Sequence, residues 1–166
     1  DMIFGLTSDG RLMSNKSYGG NTEFLEWENI RAVAAFEQLM AALTEEGRVL
    51  CTGIYGWTPV EISGWEDVTA IACDYYTVYG LCKDGTVKYA DMWTDQKPGE
   101  NRCAGVENMQ NVIQLFACNR AVFGVTAQGN VLCAVPEYRE DVPVEQTASW
   151  EGIVGAASDN GGNVAG

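Results

Sequence analysis

The sequence predicts an all-β propeller of about four repeats, each with three to four antiparallel strands, and two recurring marks carry that prediction. The first is Trp27-Glu28-Asn29-Ile30, which returns as Trp65-Glu66-Asp67-Val68, as the weaker Met109-Gln110-Asn111-Val112, and as Trp150-Glu151-Gly152-Ile153. The second is a polar residue followed by glycine: Asp9-Gly10, Glu46-Gly47, Asp84-Gly85 and Gln128-Gly129. These glycines are spaced 37, 38 and 44 residues apart, a period in the range of propellers and solenoids. The units run approximately 1–26, 27–64, 65–108 and 109–149, with 150–166 completing the first, so that residues 1–166 form one propeller domain or a segment of one.

Within each unit the elements follow from side-chain type. Read alone, Ile30 to Glu46 has the composition of an amphipathic helix, since Ala, Leu, Met, Glu and Gln are good helix formers. Its counterpart Val68 to Asp84 is rich in Val, Thr, Tyr, Ile and Cys, which favour a pleated surface. Equivalent units share one structure, so strand is the expectation throughout, with helix as the alternative for the second unit. First strands are expected at Arg31 to Ala35, Thr69 to Cys73, Gln114 to Cys118 and Val154 to Ser158. Second strands are expected at Ile3 to Thr7, Leu39 to Thr44, Thr77 to Cys82 and Ala121 to Thr126. A hairpin at each polar-Gly site leads to third strands at Arg11 to Ser14, Arg48 to Thr52, Thr86 to Ala90 and Asn130 to Ala134. Glu46 and Gln128 suit a type I turn followed by a left-handed glycine better than a turn with two positive φ angles. An outer fourth strand has room in the variable connection that follows. An open row of such units exposes sheet edges, which favours closure into a ring.

At Ser63 to Ala72, followed by Val78 to Val87, the sequence resembles the repeats of the regulator of chromosome condensation family, most closely its bacterial branch. Two positions depart from that pattern. The family's His-Thr pair is replaced by Leu39-Met40, Tyr76-Thr77 and Arg120-Ala121, and its glycine after the alanines by Phe36, Asp74, Asn119 and Asp159. The resemblance implies a propeller that recognises proteins, because relatives act as nucleotide exchange factors and as inhibitors of β-lactamases. It leans towards a secreted or cell-surface bacterial setting, although the sequence itself assigns no compartment.

The chain starts and stops inside a unit. Met2 to Leu6 matches Val78 to Leu81, and Gly162 to Gly166 falls where a second strand begins. One blade is therefore expected to be split between the termini. Three closures are open: a piece of a larger ring, two copies paired into one ring, or a self-closed ring of four blades.

Composition narrows the function. Ten basic against 23 acidic residues leave a net charge of −13, which argues against nucleic acid and anionic membrane and for a protein partner with a basic face. No apolar stretch approaches the roughly 20 residues of a membrane-spanning helix. The chain has no histidine, so Ser-His-Asp and Cys-His catalysis are excluded and no enzyme activity, cofactor or metal is expected. The six cysteines include two pairs at matched repeat positions, Cys51 with Cys133 and Cys73 with Cys118, inside apolar strands. Buried reduced thiols are the expectation over a disulfide framework.

An aromatic residue stands four or five positions beyond a matched point in each third strand: Tyr18, Tyr55 with Trp57, Trp93, and Tyr138. If these connections share one rim, the five are the candidate partner-binding anchors. In the resembled family a Tyr-Gly pair at this place braces the loop, a reading that fits Tyr18-Gly19 and Tyr55-Gly56 but not Trp57 or Trp93. Trp27, Trp65 and Trp150 recur before the first strands and are expected in the packing between repeats. Asp91, Asp95, Glu100, Glu137, Glu140 and Asp141 lack the spacing of a calcium loop and read as solvated charge. The expected function is a non-enzymatic protein-binding or assembly scaffold. The alternatives are a self-associating subunit whose split blade pairs with another copy, and a carbohydrate-binding propeller using Trp57 and Trp93.

Overall fold

A computed structural model of the chain describes residues 3–17, 20, 22–37, 39–53, 60–92, 103–118, 121–135, 147–158 and 164–165. Its strands are β1 (Phe4–Leu6), β2 (Leu12–Ser14), β3 (Ile30–Phe36), β4 (Leu39–Thr44), β5 (Val49–Gly53), β6 (Val60–Glu61), β7 (Val68–Cys73), β8 (Thr77–Cys82), β9 (Val87–Asp91), β10 (Val112–Cys118), β11 (Ala121–Thr126), β12 (Val131–Ala134), β13 (Ala157–Ser158) and β14 (Val164–Ala165). They pair antiparallel into five separate sheets, ordered β1-β2, β3-β4-β5-β6, β7-β8-β9, β10-β11-β12 and β13-β14. The Ala-rich span from Ile30 is a hairpin of β3 and β4. Local helix propensity loses there because every side chain of β4 is buried between neighbouring sheets, and packing of this kind overrides composition. Val60–Glu61 supplies an outer fourth strand to the second unit.

Registers repeat from unit to unit. Each complete unit carries a bulge at the second residue of its first strand, between Ile30 and Ala32, Val68 and Ala70, and Val112 and Gln114. The middle strands β4, β8 and β11 are buried at all six positions. Successive sheets pack face to face through four apolar clusters. Phe4, Leu12 and Phe24 meet Met40 and Ala42; Leu43, Val49 and Cys51 meet Trp65, Val68 and Val78. Tyr79, Leu81 and Val87 meet Met109, Val112 and Val122, and Phe123, Val125 and Val131 meet Trp150 and Ile153. A buried apolar side chain contributes roughly 1.5–3 kcal/mol, so these inter-unit faces supply most of what holds the array together.

The two sequence marks interlock. Gly10, Gly47, Gly85 and Gly129 have φ of 77°, 82°, 83° and 83°, and each ends a turn whose glycine amide donates to the carbonyl three residues earlier. That is the turn with a left-handed glycine expected from sequence. Across the junction, the third residue of each Trp motif is also left-handed: Asn29 (57°), Asp67 (56°), Asn111 (57°) and Gly152 (67°). Asn, Asp and Gly tolerate this region best, which accounts for their recurrence there. The following amide donates to the preceding unit's turn glycine: Ile30 to Gly10 (2.9 Å), Val68 to Gly47 (3.4 Å), Val112 to Gly85 (3.0 Å) and Ile153 to Gly129 (3.0 Å). A Cβ on Gly85 would lie 3.0 Å from the Asn111 Cα, so glycine is required there by space as well as by φ.

The first strands β3, β7, β10 and β13 together line a hollow of about 380 Å³, faced by Ala34, Ile71, Leu115, Ala117 and Ala156 among others. First strands are thus innermost and third strands lie outward, as in a propeller. Among the described residues β1-β2 and β13-β14 are distinct sheets, with β14 in the second-strand place beside β13.

Candidate functional site at one rim of the array

The two rims of the array differ. On one, turn glycines and left-handed residues are locked by main-chain hydrogen bonds across every junction. Thr86 there donates from its Oγ1 (2.7 Å) and its amide (3.0 Å) to Asp84 Oδ1, and the Thr86 hydroxyl is the chief reason the Asp84 carboxyl titrates below its usual range. Thr7 and Thr44 act in the same way on Asp9 and Glu46. This rim is structural.

The opposite rim holds the turns between first and second strands and the ends of the third strands. The Met92 amide donates to the Tyr76 carbonyl (2.7 Å), which ties the end of β9 to the β7–β8 turn. Phe36 and Tyr75 pack edge to face with centroids 4.9 Å apart, and Tyr75 and Tyr76 lie 6.1 Å apart. The Tyr75 hydroxyl reaches Glu37 Oε1 of the preceding unit at 3.1 Å. Phe36 is buried, Tyr75 and Tyr76 are half-buried, and Glu37 is exposed. The result is an aromatic platform spanning two units with an acidic edge.

Asp74 fixes the base of that platform. It is 3% exposed, and its Oδ1 accepts from the amides of Tyr76 (3.0 Å) and Thr77 (2.9 Å) while its Oδ2 accepts from the Tyr79 hydroxyl (3.0 Å). Burial raises the Asp74 pKa, the three hydrogen bonds oppose the rise, and Asp91 adds to it. In the sequence Phe36, Asp74 and Tyr76 stand out only as departures from a repeat pattern, and Glu37 and Tyr75 carry no signal, because the proximity of these residues arises only when two units pack.

The five predicted anchors Tyr18, Tyr55, Trp57, Trp93 and Tyr138 lie outside the described residues, as do Asp95, Glu100, Glu137, Glu140 and Asp141. Asp91 is half-buried at the end of β9. The three repeat tryptophans stand in the inter-unit clusters: Trp65 is 8% exposed, and Trp27 and Trp150 are half-buried against the clusters of their own junctions. Trp65 sits over Gly80, where a Cβ would come within 2.7 Å of its Cζ3, and Met109 occupies the same seat over Gly124.

All six cysteines are thiols rather than disulfide halves. Burial pushes Cys51 up to about 11, Cys103 and Cys133 up to about 12, and Cys73 higher still, which makes these four poor nucleophiles. Among the described residues no three His, Cys, Asp or Glu side chains are grouped to hold a metal, and no helix is long and apolar enough to cross a membrane.

Stacked, hairpin-connected antiparallel sheets around a shared hollow define a β-propeller architecture. No family model matches the sequence, and no curated protein matches it. Solved structures do match, and they specify the type. Prp20p of Saccharomyces cerevisiae aligns at 14% identity over 80% of this chain and 43% of its own, with a TM-score of 0.58. The CRINKLY WD40 ectodomain of the Arabidopsis thaliana receptor kinase ACR4 aligns at 16% identity over 81% and 48%, with a TM-score of 0.60. Human WBSCR16 aligns at 13% identity over 80% and 45%, with a TM-score of 0.58. Prp20 is the yeast RCC1, and the chain has the RCC1-like propeller fold. It spans less than half the length of each of these three structures.

Proposed function

We propose that this chain is a non-enzymatic protein-binding scaffold whose partner meets the rim built around Phe36, Tyr75 and Tyr76. The observation that carries the reading is the tie between Met92 and Tyr76. Third-strand ends and the aromatic platform share that rim, and in the sequence Tyr18, Tyr55, Trp57, Trp93 and Tyr138 follow those ends. Aromatic side chains on a rigid framework are effective binding anchors, because little ordering entropy is lost on association. Structures with the same fold support the class: Prp20p is described by its binding to Gsp1p and histones, and Prp20 was solved bound to Kap60. With a net charge of −13 and Glu37 at the platform's edge, the partner has a basic face.

Titration with purified histones as a basic protein probe tests this reading, using tryptophan fluorescence or calorimetry as the readout. Trp57→Ala and Trp93→Ala are each expected to stay folded and to weaken binding about 30-fold, or about 2 kcal/mol, as hot-spot residues do. Unchanged affinity in both variants overturns the anchors, and no binding by the unaltered chain overturns the basic face.

A further inference from the structure

Three soft sulfur donors converge where the second unit packs on the third. Cys51 on β5 faces the third unit, and its thiol donates to the Met92 Sδ, just past β9, at 3.9 Å. Cys73 on β7 faces back across the same junction, where its Sγ approaches the Leu39 carbonyl at 3.8 Å and the main chain of Ala41. Ala41 lies directly opposite Cys51 in the β4-β5 ladder, so both thiols stand over one short stretch of β4, close enough for their charges to interact. Cys51 is 0% and Cys73 5% exposed, and both are free thiols.

The cluster belongs to this junction and not to the repeat. By the strand registers Tyr89 holds the place of Cys51 in the third unit, and Ala117, rather than Cys118, holds the place of Cys73 in the fourth. A single buried cysteine packs as a small hydrophobe, but three sulfurs drawn from two units make a donor set. Sulfurs about 2.3 Å from one ion, the zinc–thiolate distance, stand about 4 Å apart when three share a plane, so the Cys51–Met92 spacing fits without rearrangement. A structural zinc takes four donors and no thioether, whereas thiolate together with thioether suits copper(I). The absence of histidine, on which the sequence expectation of no metal rests, has no bearing on a site built from sulfur. Met92 is half-buried at the platform rim, where its amide donates to the Tyr76 carbonyl. An ion arriving from that rim meets the thioether first and the two buried thiols behind it.

We propose that Cys51, Cys73 and Met92 form a three-coordinate site for one copper(I) ion, which joins the second unit to the third beside the Phe36 and Tyr75 rings. Binding displaces one proton from each thiol to solvent and forms two copper–thiolate bonds, with a Met92 sulfur lone pair as the third donor. Copper stays in its +1 state throughout, and the complex carries one net negative charge. Burial pushes the Cys51 thiol up to about 11, which disfavours a bare thiolate, and a coordinated cation offsets that penalty. Because the ligands come from two packed units, the ion binds the folded chain in preference to the unfolded one and stabilises it.

The 166-residue chain, reduced and kept free of oxygen, is titrated against the coloured bicinchoninate complex of copper(I). The expected result is one ion withdrawn per chain, with a melting temperature that rises with free copper(I). Loss of an outer-shell partner alone costs about 10–100-fold in metal affinity, so Cys51→Ala is expected to weaken uptake by at least about 100-fold. Met92→Leu conserves volume and should keep its circular dichroism while weakening uptake about 10-fold, which tests the site even where Cys51→Ala destabilises the sheet. Cys133→Ala, at the place matched to Cys51 in the fourth unit, should bind as the unaltered chain does. No copper(I) withdrawn by the unaltered chain overturns the proposal. Uptake undiminished in both Cys51→Ala and Met92→Leu overturns it too, by putting the ion on other thiols, and zinc held as firmly as copper(I) overturns the choice of ion.

Discussion

Gly80 and Trp65 show how much of this architecture depends on a single missing methyl group. The Trp65 ring lies where a Gly80 Cβ would be, with Cζ3 at 2.7 Å and Cε3 at 3.0 Å, and a buried indole cannot swing aside as a long flexible chain can. Gly80→Ala is therefore expected to cost about 1–3 kcal/mol through overpacking. In the Gly80→Ala/Trp65→Phe double variant the loss should be less than the sum of the two single losses, because the smaller ring removes the clash. Denaturant unfolding of all three variants measures this, and strictly additive losses would show that the two residues do not share the space. At the matched position of the second unit, Trp27 packs against the cluster that holds Met40 and Ala42 and is only half-buried.

At the scale of elements, the β7–β8 turn depends on a carboxylate. Asp74 holds two amides of the turn and the Tyr79 hydroxyl of β8 while almost wholly removed from water. Its folded pKa is raised above 3.8, chiefly by burial. Folding thus favours its protonated form, so this group's contribution to stability is full below the unfolded value and is lost as the pH rises through the folded value. Relative to Asp74→Asn, the unaltered protein should gain stability as the pH is lowered from 7 towards 4. Comparing the two proteins cancels the opposite trend from Asp9, Glu46 and Asp84, whose values are lowered. Thermal melts across that range check it, and a difference independent of pH would remove Asp74 as the cause.

Elements also show what was legible in the sequence. The bounds of β4, β8 and β11 follow from composition and comparison between units, because a strand buried on both faces is a short continuous apolar run. The Ala-rich β3 was ambiguous by itself, and only its counterpart Val68–Cys73 resolved it. The third position of the Trp motif was legible as a recurrence but not as a left-handed residue, since sequence does not show which main-chain atoms approach it. The platform of Phe36, Glu37 and Tyr75 was hidden for a different reason: its members come from two units, 38 residues apart between Glu37 and Tyr75.

For the molecule as a whole, stability is distributed along a line of nearest-neighbour junctions. Interior units have a neighbour on each face, and their middle strands are fully buried. The terminal ladders contain three residue pairs in β1-β2 and two in β13-β14. Amide hydrogen exchange should therefore be slowest in β4, β8 and β11 and fastest in the two terminal ladders. Uniform protection from end to end would show one cooperative block instead of an array.

The joint between units is made from main-chain atoms: a turn glycine's carbonyl on one side and the amide after a left-handed Asn, Asp or Gly on the other. Such a coupling is indifferent to most of the side chains around it. Modules from other chains can then be grafted in tandem where those two positions are kept and the apolar faces that pack across the junction still match, leaving the outer loops free to be exchanged for new binding specificities.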